Sequence, residues 1–293
     1  MPIALFSRNL KIEDIGFVEK MLRLFQERQI DIWIYDEYYR QINSILPNMS
    51  NFLVFGNGEP LPNDVRFMWS IGGDGTLLNT ATWIRNRNIP VIGINTGRLG
   101  LLADVGREQI EQALDVIQAG TYTIDRRSLL QINGIPSIFE PDNFALNEFT
   151  IVKQDTSAMI VVHAFVDGYF LNSYWADGII VATPTGSTAY SLSCGGPIVH
   201  PHCQTFIVTP VAPHNLNVRP LLLPDTSSLS FKIEGRSSNF LCTLDSRHEI
   251  IDATHQLSVC KAPFSFQLLR MPDGNDFFAT IRHKLKWGQD ARN

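Results

Sequence analysis

The sequence predicts an α/β domain built on a parallel sheet, then a β-rich, sandwich-like domain, with a last helix returning to the first. Over roughly the first 120 residues, short β-rich runs alternate with helical periodicity. From about Thr121 the texture changes to many short β-branched and aromatic runs split by turn residues, and beyond Pro263 a helical period reappears. These changes divide the chain into residues 1–124, 125–266 and 267–293.

The apolar run Ile3 to Phe6 reads as a first strand, followed by a helix whose Ile15, Val18, Leu22 and Phe25 recur at three- and four-residue intervals. Further strands are expected at Ile30–Tyr35, Phe52–Phe55, Phe67–Ile71 and Val91–Ile94. Leu77, Ala81 and Ile84 form one helical stripe, and Ile110, Ala113, Leu114 and Ile117 another. Strands buried on both faces and separated by helices imply right-handed crossovers in a parallel sheet. In the second half, strands are expected at Ser128–Ile132, Thr150–Lys153, Met159–Val166, Gly178–Ala182, Phe206–Val211 and Leu229–Ile233. Near the end, Asp276 can cap a helix on which Phe278, Ile281 and Leu285 share a face.

Composition narrows the function. Of 293 residues, 44% are hydrophobic and 18% charged, which excludes a disordered or coiled-coil chain. A net charge of −5 supplies no basic field for nucleic acid or anionic lipid, so a small substrate is expected. No apolar run approaches the ~18 residues of a membrane span, and the first residues lack the basic-then-apolar pattern of a signal peptide, so a cytoplasmic protein is expected. Cys194, Cys203, Cys242 and Cys260 are irregularly spaced and read as reduced thiols. His200 and His202 read as loop residues without metal-site partners.

The sharpest local feature is Gly72-Gly73-Asp74-Gly75-Thr76, between an apolar strand and an amphipathic helix. Glycines let the backbone turn tightly and bring its N–H groups to an anion, and the helix amino terminus favours phosphate. In the plainer reading, Asp74 or Thr76 caps the helix. Placement favours the first, because ligands of open α/β sheets lie at the carboxyl ends of strands. The turn is neither a Walker A loop nor G-x-G-x-x-G. A carboxylate beside phosphates is useful if it faces an acceptor hydroxyl and takes its proton during phosphoryl transfer, with Mg²⁺ neutralising the donor. The second feature runs from Asp177 to Ile198 and carries Thr183-Pro184-Thr185-Gly186-Ser187-Thr188-Ala189-Tyr190. This run of small hydroxyl residues and glycines suits a flat polar group such as a base or carboxamide, or else is a Ser/Thr-rich loop capping a helix.

These segments, with the Asn147-Glu148 pair and the stretch Val208 to Pro220, resemble the NAD kinases. The resemblance covers about Phe67 to Pro224. The glycine-rich turn alone is shared with diacylglycerol-kinase-like lipid kinases and nearly with phosphofructokinases, so the 183–190 stretch discriminates. The resemblance implies transfer of the γ-phosphoryl group of ATP to the adenosine 2′-hydroxyl of NAD, with Mg²⁺ or Mn²⁺ and in a homo-oligomer, a dimer or tetramer. It implies Asp74 as the base and Gly72, Gly73, Gly75 and Thr76 near phosphate. Asn147 would meet the adenine and Glu148 a ribose, Thr188, Ala189 and Tyr190 the dinucleotide, and Asp177 and Ser193 the nicotinamide end. The chain departs from the family pattern twice. Leu101 stands where an aromatic usually follows Asn95-Thr96-Gly97-Arg98-Leu99-Gly100, and Asp245-Ser246-Arg247 stands where Asp-Gly-Gln is common. Asp245 is carried over as a substrate contact, and Arg98 as either a phosphate partner or a surface arginine. A lipid kinase and a dinucleotide sensor without turnover are the alternatives; a sensor would not need Asp74.

Overall fold

The computed structural model describes residues 1–49, 52–97, 100–154, 159–235, 238–272, 274 and 276–287. The chain forms two units, Met1–Asp125 with Gln267–Asn293, and Arg126–Phe266.

In the first unit the chain runs β1 (Ile3–Phe6), α1 (Ile15–Glu27), β2 (Ile32–Tyr35), α2 (Asp36–Ile45), β3 (Leu53–Phe55), β4 (Phe67–Gly72), α3 (Asp74–Ile84), β5 (Val91–Asn95), β6 (Val105–Gly106) and α4 (Ile110–Ala119). Its strands lie in the order β3-β2-β1-β4-β5, every neighbouring pair parallel. All of β1 and β5 is buried, which is why both read as unbroken apolar runs. Val18, Leu22 and Phe25 of α1 pack on this sheet, with the Phe25 and Trp69 rings edge-to-face at 5.0 Å. Helix α2 was not anticipated. It follows β2 directly and buries Tyr38 and Ile42, one turn apart. The register sets Gly72 opposite Asn95, so the loops that leave β4 and β5 start side by side at the carboxyl edge of the sheet.

The second unit holds β7 (Thr123–Ile135), β8 (Phe144–Ala145), β9 (Glu148–Lys153), β10 (Ile160–Val166), β11 (Tyr169–Ala176), β12 (Gly178–Ala182), α5 (Tyr190–Ser193), β13 (Thr205–Val211), β14 (Leu221–Pro224), β15 (Leu229–Gly235), β16 (Phe240–Leu244), β17 (Arg247–Ile251) and most of β18 (Gln256–Arg270). One antiparallel sheet has the order β14-β13-β12-β9-β16-β17, and β11, β10, β15 and β18 are neighbours in a second. Phe149 of the first sheet and Phe231 of the second stack at 5.8 Å inside a core that also takes Ile179, Val181, Phe206 and Phe240. Strand β12 is central and wholly buried, and so delivers the 183–190 segment from a rigid base.

The carboxyl end of β18 belongs to the first unit, where Leu268 pairs with Val91. Helix α6 (Phe277–Leu285) follows in the same unit, with the Asp276 carboxylate accepting the Ala279 N–H at 2.6 Å. The expected face is corrected by the structure. Thr280 and Ile281 are buried, whereas Phe278 is 59% exposed. Ile281 and the half-buried Leu285 keep the expected face, and Phe278 alone leaves it.

Candidate active site

Asp74 is the first residue of α3, but its side chain does not cap that helix. The carboxylate reaches across to the loop after β5. Oδ2 accepts the Leu101 N–H at 2.9 Å, and Oδ1 accepts those of Leu102 and Ala103 at 3.0 and 3.1 Å. Gly100 makes this approach possible, because a Cβ there would lie 2.0 Å from Oδ1. Lys284 of α6 donates to Oδ2 at 3.2 Å. Burial disfavours the ionised carboxyl, but the three amides and the ammonium outweigh it and hold Asp74 below the ordinary carboxylate range. Asp74 is therefore a charged acceptor at neutral pH. Beside it Gly73 and Gly75 are exposed at the start of α3, where first-turn N–H groups have no partner within a helix. Gly72 ends β4, and the Thr76 N–H closes the turn onto the Gly73 carbonyl at 3.0 Å. Arg8, just past β1, donates to Asn79 of α3 at 2.9 Å. Arg98 lies outside the described residues.

In the second unit a second carboxylate repeats the device. Asp245 Oδ2 accepts the Leu146 N–H at 2.9 Å, and Oδ1 accepts those of Asn147 and Glu148 at 2.8 and 3.1 Å. Asp245 sits in the β16–β17 turn at φ +51°, a conformation that costs energy for a residue with a side chain. These three bonds all run to backbone, so Asp245 holds the Asn147-Glu148 segment in place. Arg247 is tied into the same corner, donating to the carbonyls of Asp142 and Phe144.

Glu148 is 9% exposed, and its Oε2 has no hydrogen-bond partner. Burial and the nearby Asp245 push its pKa up to about 8 against a hydrogen bond from the Tyr190 N–H. A buried carboxyl oxygen without a partner can bond a ligand hydroxyl, donating while the carboxyl is protonated and accepting once it is ionised. Tyr190 is 40% exposed, and burial, Cys194, Asp177 and Glu148 together push its hydroxyl up. The structure thus brings Asn147, Glu148, Tyr190, Asp177 and Asp245 to one end of the second unit. Asp177 is paired with Lys153 at 2.7 Å.

The hydroxyl-rich segment divides in two. Thr183, Thr185, Ser187 and Ser191 are buried and bonded internally. Thr183 donates to the Leu146 carbonyl at 2.5 Å, Ser187 to that of Pro184 at 2.7 Å, and Ser191 meets Thr209 at 2.8 Å. These four build the loop and do not form the array of donors that one of the two sequence readings expected. A Cβ on Gly186 would stand 2.2 Å from the Asn147 carbonyl, so this loop packs on the 146–148 segment only with glycine there. Thr188, Ala189, Tyr190 and Ser193 are the members left accessible. Lys284, Lys153 and the loop amides of residues 101–103 were not found from sequence. Only the Gly100 of the Asn-x-Gly-x-Leu-Gly stretch hinted at the last.

A parallel α/β unit with a carboxylate in a glycine-rich turn at its carboxyl edge, joined in one chain to an antiparallel β unit with a buried acceptor, defines a nucleotide-dependent phosphotransferase. The ATP-NAD kinase N-terminal domain family matches residues 57–122, and the ATP-NAD kinase C-terminal domain family residues 146–271. An NAD kinase of Cytophaga hutchinsonii is 49% identical over 296 residues, covering 100% of both chains, and one of Bacteroides fragilis is 39% identical over 293 residues, again covering 100% of both. Among solved structures, yeast NADH kinase complexed with NADH covers 99% of this chain and 88% of its own at a TM-score of 0.87 and 21% identity. An NAD kinase from Archaeoglobus fulgidus in complex with ATP covers 98% and 99% at a TM-score of 0.75 and 24% identity. At these identities the two structures carry the fold alone. The chain belongs to the ATP-NAD kinase family.

Proposed function

We infer that this chain transfers the γ-phosphoryl group of ATP to the adenosine 2′-hydroxyl of NAD, giving NADP and ADP. The observation that carries the reading is the ionised Asp74 carboxylate at the head of α3, aligned by three backbone amides at 2.9–3.1 Å. Full-length identity of 49% to an NAD kinase supports the choice of acceptor. In the reaction the 2′-oxygen bonds to the γ-phosphorus as the bond to the β-phosphate oxygen breaks, ADP leaves with that electron pair, and the hydroxyl proton passes to Asp74. Amides at the start of α3 would hold the phosphates, and positioning and electrostatics would supply most of the acceleration.

Glu148 would accept a ribose hydroxyl at its unpartnered Oε2, with Asn147 on the adenine and Thr188, Ala189 and Tyr190 along the dinucleotide. Asp177 and Ser193 would serve the nicotinamide end. The described residues hold no cluster of three or more His, Cys, Asp or Glu suited to a metal, and Asp74's oxygens are taken by amides and an ammonium. Mg²⁺ or another divalent cation would enter as part of the substrate, MgATP.

A homo-oligomer of two or four copies is part of the same reading. Tyr169, Phe170 and Trp175 on the edge strand β11, 82%, 60% and 55% exposed, support self-association. No described helix is long and apolar enough to cross a membrane. A cytoplasmic location is supported by four unpaired cysteines. The test is incubation of the purified protein with NAD, Mg²⁺ and ATP, followed by assay of the product with an NADP-specific dehydrogenase. Absence of NADP across metals and donors would return the chain to a dinucleotide sensor, and phosphorylation of a lipid instead would make it a lipid kinase.

A further inference from the structure

An ionised carboxylate offers about four acceptor positions, two on each oxygen. Three on Asp74 are filled by the amides of Leu101, Leu102 and Ala103, and the fourth, on Oδ2, by the Lys284 ammonium at 3.2 Å. The acceptor hydroxyl has no other place to bind on this carboxylate. Accepting Asp74 as the base, which is the reading above, a hydroxyl can reach it only where Lys284 now stands.

We propose that Lys284 is exchanged during the reaction: it holds the acceptor position of Asp74 that the 2′-hydroxyl needs, leaves when that hydroxyl binds, and then pairs with the transferring phosphates. Lys284 lies in the last turn of α6 with its side chain 39% exposed, free to swing on four methylenes. An ion pair so accessible adds little to stability, so the contact is poorly explained as a staple for α6. That helix is already held by Thr280, Ile281 and the Asp276 cap. The released ammonium stays beside the start of α3, where phosphates gather. The other groups on the Asp74 carboxylate are neutral amides of the 101–103 loop, so Lys284 is the cation bonded to it.

The experiment compares wild type, Lys284→Met and Lys284→Arg by steady-state kinetics over pH, together with calorimetric binding of MgATP. Losing a charge-assisted bond to phosphate should raise both KM and Kd for MgATP by about tenfold or more in Lys284→Met, with KM for NAD changed by no more than about twofold. The ammonium lowers the Asp74 pKa, so its removal should move the acid limb of kcat/KM for NAD to higher pH. Lys284→Arg should restore most of the MgATP affinity. If Lys284→Met binds MgATP as well as wild type or better, the handover is wrong and the lysine only blocks Asp74. An acid limb that stays in place also overturns the proposal. Wild type that makes no NADP would overturn the kinase reading itself and this proposal with it, whereas the preceding outcomes leave that reading intact.

Discussion

Gly100 lies against Asp74 so closely that a single added methyl would fall 2.0 Å from Oδ1 and 2.7 Å from Cγ. The contact joins the loop after β5 to the turn after β4, two segments that leave neighbouring strands at Asn95 and Gly72. Gly100→Ala must therefore push the carboxylate off its three amides or shift the loop. The expected result is a stability loss of roughly 1–3 kcal/mol and at least a tenfold fall in kcat. Gly97→Ala is the matched control, because nothing lies within 4 Å of a Cβ there. Urea midpoints and NADP formation for the two variants check this, and equal behaviour would remove the steric argument.

Glu148 should leave a signature in stability against pH. Its folded pKa of about 8 exceeds the ordinary 4.5, so between these values the folded chain holds a proton that the unfolded chain has lost. Stability then falls as pH rises through that window, at up to about 1.4 kcal/mol per pH unit, and the full cost is reached above pH 8. Glu148→Gln keeps a neutral side chain of the same shape and should lose this slope. Denaturant titrations at pH 5, 6.5 and 8 would show the variant gaining on wild type with pH; parallel curves would mean that Glu148 titrates normally.

The same residue should separate the two substrates. Glu148→Ala removes the acceptor proposed for a ribose hydroxyl, so KM for NAD should rise by an amount equivalent to about 1–3 kcal/mol while KM for ATP moves little. Equal effects on both would reject the assignment.

What could be read from sequence follows from how local each signal is. Strands β1, β4 and β5 announce themselves as apolar runs because both faces are covered, and Asp74 stands out because glycines flank it. Helix α2 was hidden, since only Tyr38 and Ile42 are buried and it begins immediately after β2. Strands β16 and β17 were missed too, although Phe240, Cys242 and Leu244 alternate inward with period two over five residues. Within the hydroxyl-rich segment, Thr183 and Ser187 have the same chemistry as the accessible Thr188, and only burial separates builders of the loop from surfaces for a ligand. Lys284 was out of reach altogether. It meets Asp74 across 210 residues of chain, and a lone lysine in a short helix carries no pattern.

Leu101→Phe should be tolerated. Asp74 uses the backbone N–H of Leu101, which any side chain but proline retains, and the side chain itself is half-buried. An aromatic face restored there can stack on adenine at roughly 1 kcal/mol, so NAD binding should tighten several-fold at most. Weaker binding by calorimetry would show that the pocket is packed around leucine.

Replacing Asp74 with Asn tests the base directly, and the structure changes what else should be seen. From sequence, such a change leaves the fold and the melting temperature nearly untouched, since Asn keeps the size and some of the hydrogen bonding of Asp. Asp74, however, accepts amides on both oxygens, and Asn has only one acceptor oxygen, so its amide nitrogen must face at least one N–H donor of the 101–103 loop. One buried donor loses its partner, at a cost of about 1–3 kcal/mol, and Tm should fall measurably. Turnover should fall further, because neither the charge nor the proton acceptor survives. General-base assistance contributes ~10²–10⁴-fold, so kcat should drop at least about a hundredfold. NAD should still bind, since its proposed base and ribose contacts, Asn147 and Glu148, are unchanged. Glu at the same position gives the complementary measurement: it keeps charge and acceptors but is one methylene too long for the gap left by Gly100, so it should also lose stability while retaining more activity than Asn. An Asp74→Asn enzyme that melts lower but still makes NADP at near wild-type rate would leave the carboxylate a loop clamp and move the search for the base elsewhere.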